Sequence, residues 1–188
     1  MKSAIILHGM PSLDNYMDPN RDSQSNSHWL PWLQQQLLLH DVLAQTPELP
    51  EPYAPDYNKW LGVFSRFDVN NQTILVGHSC GGGFLLRWLS ENKVNAKQLI
   101  LVAPWLDPER ILISEMMEFD LDTGIANRVG KINLFYSDND SGDVNTSVDM
   151  VKSKLPKTDM HLLRGLGHFT KNDMGRVDFP ELLNQIML

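Results

Sequence analysis

Thr73-Ile74-Leu75-Val76-Gly77-His78-Ser79-Cys80-Gly81-Gly82-Gly83-Phe84-Leu85-Leu86-Arg87-Trp88-Leu89 reads as a strand, a sharp turn and a helix in direct succession. Its first four residues form a continuous apolar, β-favouring run that stops at a glycine, as expected for a strand buried on both faces of a parallel sheet. Gly77-x-Ser79-x-Gly81 then fits a turn whose serine takes a strained backbone conformation, with tiny residues two positions either side so that strand and helix can approach. Such a turn lifts the Ser79 hydroxyl above the C-terminal edge of the sheet and aims the Cys80 N–H, at the helix start, where a tetrahedral oxyanion would sit. Ser79 is therefore the candidate nucleophile. A phosphate loop would need a lysine that is missing here, and the glycine spacing is wrong for a dinucleotide fingerprint. Cys80 lies past the apex of the turn, with its thiol directed away from the position of attack.

On either side of this segment, short apolar runs alternate with stretches of helical period, which argues for βα units around a mainly parallel sheet. Strands are expected at Ala4–Leu7, Val42–Ala44, Thr73–Val76, Leu99–Val102, Ile132–Tyr136 and Met160–Leu163. Helical spacing recurs behind Ser27, read as an N-cap, through Trp29, Leu30, Leu33 and Leu37, and again at Tyr57, Trp60, Leu61 and Phe64 behind Asp56. It returns at Phe84–Leu89, at Val144–Leu155 and at Pro180–Met187, while Ile111–Phe119 reads as a further short helix. The expected architecture is a three-layer α/β/α sandwich with about six strands, filling residues 1–188 as one domain.

A serine hydroxyl attacks only when a histidine removes its proton and an acid orients that histidine, and on this topology the chain order is serine, acid, histidine. Gly165-Leu166-Gly167-His168-Phe169 follows the last strand and so reaches the same sheet edge as Ser79, making His168 the candidate base. Ser137-Asp138-Asn139-Asp140-Ser141-Gly142-Asp143 follows the fifth strand. Asp140 is the first choice for the acid and Asp138 the second, with Asp143 left to cap the following helix. The second oxyanion donor is expected from the loop after the first strand, at the Met10 N–H. His8 and His78 read as hydrogen-bonded structural histidines, and His28, His40 and His161 show no metal-ligand spacing. This chemistry needs neither metal nor cofactor.

Composition narrows the field further. Sixteen Lys+Arg against 23 Asp+Glu, a net charge of -7, leave no basic footprint for nucleic acid. The single cysteine cannot form an internal disulfide, and the first apolar run is too short for a signal-peptide core or a membrane span, so a cytoplasmic protein is expected. The polar 11–27 stretch and the 104–130 excursion both follow strands at the catalytic edge and are the expected walls of an acyl pocket. Trp105, Met116 and Met117 in the latter are the expected substrate-binding residues. The acidic surface favours a small neutral acyl ester over an anionic substrate.

The combination of Ile5-Ile6-Leu7-His8-Gly9, Trp29-x-x-Trp32-Leu33, Gly77-His78-Ser79-Cys80-Gly81-Gly82, Tyr136-Ser137-Asp138-Asn139-Asp140 and Gly167-His168-Phe169 resembles the small serine-hydrolase branch of the α/β-hydrolase superfamily, which includes retinoblastoma-binding protein 9 and the bacterial YdeN-like proteins. That resemblance implies a minimal α/β-hydrolase fold without a full cap domain, and carries Ser79, Asp140 and His168 over as nucleophile, acid and base. It implies a serine hydrolase of small carboxylic esters, thioesters or amides; the alternative is a binding module that keeps the fold without useful turnover. The chain departs from the family pattern in having one extra residue between Asp140 and Val144, and Asn145 where a proline is common. The retinoblastoma-binding Leu-x-Cys-x-Glu motif is absent, so no protein partner is implied.

Overall fold

A computed structural model describes residues 1–188. Six strands, β1 (Ser3–Leu7), β2 (Leu43–Gln45), β3 (Thr73–His78), β4 (Ala96–Val102), β5 (Val129–Tyr136) and β6 (Asp159–Leu162), pair in the order β2-β1-β3-β4-β5-β6, every pair parallel. The helices are α1 (Leu13–Met17), α2 (Leu30–Leu39), α3 (Tyr57–Phe64), α4 (Cys80–Asn92), α5 (Ile125–Arg128), α6 (Gly142–Lys154), α7 (Lys171–Met174) and α8 (Pro180–Met187). None is long and apolar enough to cross a membrane.

Right-handed crossovers dictate the layers. The chain steps one way from β1 to β2 and the other way from β2 to β3 and onward, so α2 lies on one face with α8, and α3, α4 and α6 on the other. The layers are tied by aromatic residues. Phe84 of α4 meets the rings of Tyr57, Trp60 and Phe64 at 5.3–5.9 Å, while Phe179 joins Trp29 to Phe135 across the other face at 5.6 Å. β3 is buried along its whole length, as its unbroken apolar run requires.

Register then aligns the strand ends. Leu7 pairs with Gly77, Gly77 with Leu101, Val102 with Phe135, and Tyr136 with Leu162. Loops leaving β1, β3, β5 and β6 therefore emerge along one edge. The strand order reverses between β1 and β3, the place where an open parallel sheet leaves a crevice for ligands.

Three local expectations are corrected. Ser27 is not the cap of α2: its hydroxyl donates to the Ser23 carbonyl, and the helix starts behind the buried Trp29. Residues 111–119 form only a 3-10 turn at Glu115–Met117, because the Asp107 carboxylate takes the Ile111 and Leu112 N–H groups at 2.8 and 3.0 Å and pins the chain in a turn. Asp143 lies inside the first turn of α6, behind the N-cap Ser141, and its carboxylate accepts the Trp105 indole N–H at 2.8 Å. Asp56, by contrast, caps α3 through the Lys59 N–H as its position suggests.

Candidate active site

Ser79 sits between β3 and α4 with φ 54° and ψ −123°, a positive φ that is strained for a residue with a side chain. The surroundings hold it there. Its N–H donates to the Val102 carbonyl at 2.9 Å, and its own carbonyl accepts from Gly82 at 2.9 Å and from Trp105 at 3.1 Å. The flanking glycines are sterically required: a methyl group on Gly77 would lie 2.6 Å from Gly82 Cα, and one on Gly81 2.5 Å from the His8 carbonyl oxygen. Strand and helix could not close on each other around any larger residue.

The loop after β1 lies alongside, with Gly9 pressed against Ser79. Buried His8 fixes this loop. Its Nε2 accepts the Leu49 N–H at 2.9 Å, so Nδ1 carries the proton and donates to the Gly9 carbonyl at 2.9 Å. The Met10 N–H that follows has no backbone acceptor, and the Cys80 N–H occupies the first position of α4, where no intrahelical acceptor exists. The Cys80 thiol is fully buried, and burial pushes its pKa up, which keeps it protonated.

Across the cleft, His168 Nδ1 meets the Asp140 carboxylate at 2.9 and 3.1 Å. The Asp140 side chain is 4 % exposed and also accepts the Ser141 N–H at 2.7 Å. A carboxylate only accepts, so Nδ1 donates, and in the neutral imidazole the lone pair lies on Nε2. Asp138 binds other partners: it is 39 % exposed and takes the Gly165 N–H at 2.9 Å and Arg164 at 2.9 Å, interactions that hold its carboxyl below the usual range.

Residues of the 137–140 turn all grip the His168 loop. Ser137 Oγ accepts the Leu166 N–H at 3.0 Å and donates to Asn139 Oδ1, which takes the Gly167 N–H at 2.8 Å, ahead of the Asp140 contact to His168. Asp173 closes the loop from the other side, accepting the His168 N–H at 3.1 Å within a capping box with Thr170. Sequence reasoning passed over Ser137, Asn139 and Asp173. Of these, Asp173 carried a readable signal, because Thr170-x-x-Asp173 has capping-box spacing.

His78 lies beneath the site with its Nε2–H donated to the His168 carbonyl at 2.8 Å. Burial holds its pKa well below the ordinary histidine value, reinforced by the neighbouring His168 and His28. Burial lowers His8 in the same direction. Both imidazoles are therefore neutral in the fold, while the unfolded chain protonates them below pH ~6.5. The unfolded state then binds more protons below pH ~6.5, so stability falls as the pH drops below that value. Urea unfolding should show a lower stability at pH 5.5 than at pH 7.5. Equal stability would contradict neutral burial.

Ser79, His168, His78 and Met10 line one cleft of about 380 Å³, walled by residues of the 9–28 loop and by Thr170, Lys171 and Asn172. The Ser79 hydroxyl and the His168 imidazole face it without a direct hydrogen bond, the loose geometry common before substrate binds. Trp105, Met116 and Met117 do not reach it. Trp105 and Met116 are buried core residues, and Met117 packs on Gly83 and lines a separate cavity of about 690 Å³ with Phe119 and Met150. The Trp105 N–H tied to the Ser79 carbonyl starts the excursion over the α4 face of the sheet, away from the mouth of the cleft.

A family model described as "Serine hydrolase" matches residues 19–183. The YdeN protein of Bacillus subtilis (strain 168) is 35 % identical over 100 residues, covering 52 % of this chain and 46 % of that protein, so the chain aligns in sequence with about half of that relative's length. The crystal structure of the ydeN gene product of B. subtilis superposes with a TM-score of 0.84 at 23 % identity, over 100 % of this chain and 97 % of that one. Est1E from Butyrivibrio proteoclasticus, solved with ferulic acid bound, shares the fold with a TM-score of 0.64 at 14 % identity, over 100 % of this chain and 88 % of that one. A methylesterase from Arabidopsis does so with 0.64 at 13 %, over 100 % and 98 %. With an all-parallel sheet of the α/β-hydrolase kind and a serine on its central elbow, matched along most of its length, the chain belongs to the serine hydrolase family.

Proposed function

We propose that the protein hydrolyses carboxylic esters through an acyl-enzyme on Ser79, with His168 as general base and Asp140 as its orienting acid. The single observation that carries this is the meeting, at one cleft, of a serine held at φ 54° and a histidine whose Nδ1 is held by a buried carboxylate. His168 Nε2 takes the hydroxyl proton as Ser79 Oγ bonds to the scissile carbonyl carbon, and the carbonyl oxygen gains negative charge beside the Met10 and Cys80 N–H groups. Collapse breaks the bond to the leaving alcohol, which receives that proton from His168. Water, deprotonated by the same nitrogen, then attacks the acyl-enzyme and releases the acid while the proton returns to Ser79. Thioesters and amides follow the same course with a different leaving group.

Fluorophosphonate labelling tests the nucleophile, because it captures only an activated serine. The wild type should be labelled, with the adduct on the peptide containing Ser79, and Ser79→Ala and His168→Ala should not. A folded wild type left unlabelled, or labelled on another residue, would refute the assignment.

A further inference from the structure

The cleft differs chemically from the chain that carries it. The chain holds more acid than base and a net charge of -7, yet the lining presents Arg21 and Lys171 against the single carboxylate of Asp22. Met10 is its one hydrophobic member; side-chain amides and hydroxyls supply most of the rest. The carboxylates close by keep their charge but each is held by fixed donors: Asp173 by the His168 N–H and the Thr170 hydroxyl, Glu48 by the Ser25 and Gln24 N–H groups at 2.8 and 3.2 Å, and Asp140 by His168 Nδ1. Asp18 faces Arg21 at 3.5 Å, but with 38 % and 52 % of the two side chains exposed such a pair is weak and exchangeable. Lys171 shares its loop with His168, its N–H held by His28 Nδ1 at 3.1 Å, and its ammonium has no carboxylate partner.

An alkyl chain would gain little from this lining, since the benefit of burying methylenes depends on apolar surface to bury them against. An anion gains from a planar guanidinium and a point charge at the rim of a polar cleft. Resting on the reading of Ser79 as nucleophile, we propose that the substrate is a small ester bearing a free carboxylate, which Arg21 and Lys171 bind while the ester carbonyl lies over Ser79. The net acidity of the surface pointed to a neutral ester; the local charge of the cleft points the other way.

Monomethyl and dimethyl adipate differ only in that carboxylate. With methanol release corrected for the two equivalent ester groups of the diester, kcat/KM at low salt should favour the monoester by about fivefold or more, the scale of one to two partly exposed ion pairs. Added salt should narrow the gap. The double variant Arg21→Gln/Lys171→Gln should bring the ratio close to one. Equal or faster turnover of the diester by the wild type, or a ratio untouched in the double variant, would overturn the proposal. Calorimetry on Ser79→Ala separates recognition from chemistry: monomethyl adipate should bind about fivefold more tightly than the diester, and equal binding would overturn the anion site. If the wild type takes no fluorophosphonate and cleaves neither ester, the nucleophile assignment fails, and the calorimetric comparison alone decides whether the cleft prefers an anion.

Discussion

Ser79→Ala should lower kcat for an activated ester on the order of 10⁴–10⁶-fold, with circular dichroism and the urea midpoint close to wild type. The size follows from the role proposed for the hydroxyl: without it no acyl-enzyme could form, and only the oxyanion donors and binding would remain to speed attack by water. The fold should tolerate the change because Ser79 contributes no side-chain cap to α4, and its backbone bonds to Val102, Gly82 and Trp105 persist in alanine. Since the serine and the histidine act as a unit, Ser79→Ala/His168→Ala should be little slower than the worse single variant. A variant turning over within about tenfold of wild type would mean that another group performs the attack.

Asp140→Asn should cost about 10³–10⁴-fold in kcat, whereas Asp138→Asn should stay within about fivefold of wild type. The buried Asp140 carboxylate can only accept, and so fixes the His168 proton on Nδ1. An amide in its place can donate to Nδ1, leaving the proton on the nitrogen that must act as base. Asparagine at 138 keeps an acceptor for the Gly165 N–H and loses a pairing with Arg164, whose side chain is 77 % exposed. Steady-state rates of the two variants decide between the carboxylates, and a larger loss at Asp138 would reverse their roles.

The sheet was legible because a parallel strand buried on both faces must be continuously apolar, and all six expected runs became strands. Ser79, Asp140 and His168 were legible as candidates for a related reason: in such a sheet every strand ends at the same edge, so residues just past strand ends are brought together. Of the cleft walls, the 11–27 stretch was expected and lines the cleft, but its local form was not legible. α1 buries no residue and so leaves no apolar period to read, and the 18–28 segment is held by side-chain bonds to its own backbone and to Glu48. Trp105, Met116 and Met117 misled because an apolar residue looks the same in sequence whether it lines a pocket or fills a core. What distinguishes them is the hydrogen bond from Trp105 to Asp143 and the packing of Met117 on Gly83, contacts across long stretches of chain.

The joint pairing of Ser137, Asp138, Asn139 and Asp140 with residues 164–168 has an evolutionary consequence. Each partner is set by position along the chain, so inserting or deleting one residue in either segment would shift all of the pairings together and carry the acid away from the base. A substitution at Ser137, Asp138 or Asn139 would lose the pairings of one residue; a change of length would disturb them all. The extra residue that the family resemblance implies between Asp140 and Val144 would fall just beyond the last pairing, where Gly142 has open space around it and Asn145 Nδ2 ties back to the Asp140 carbonyl at 3.2 Å. Lineages of this fold should therefore lengthen and shorten freely around the 104–128 excursion while the two segments flanking the histidine keep a fixed count.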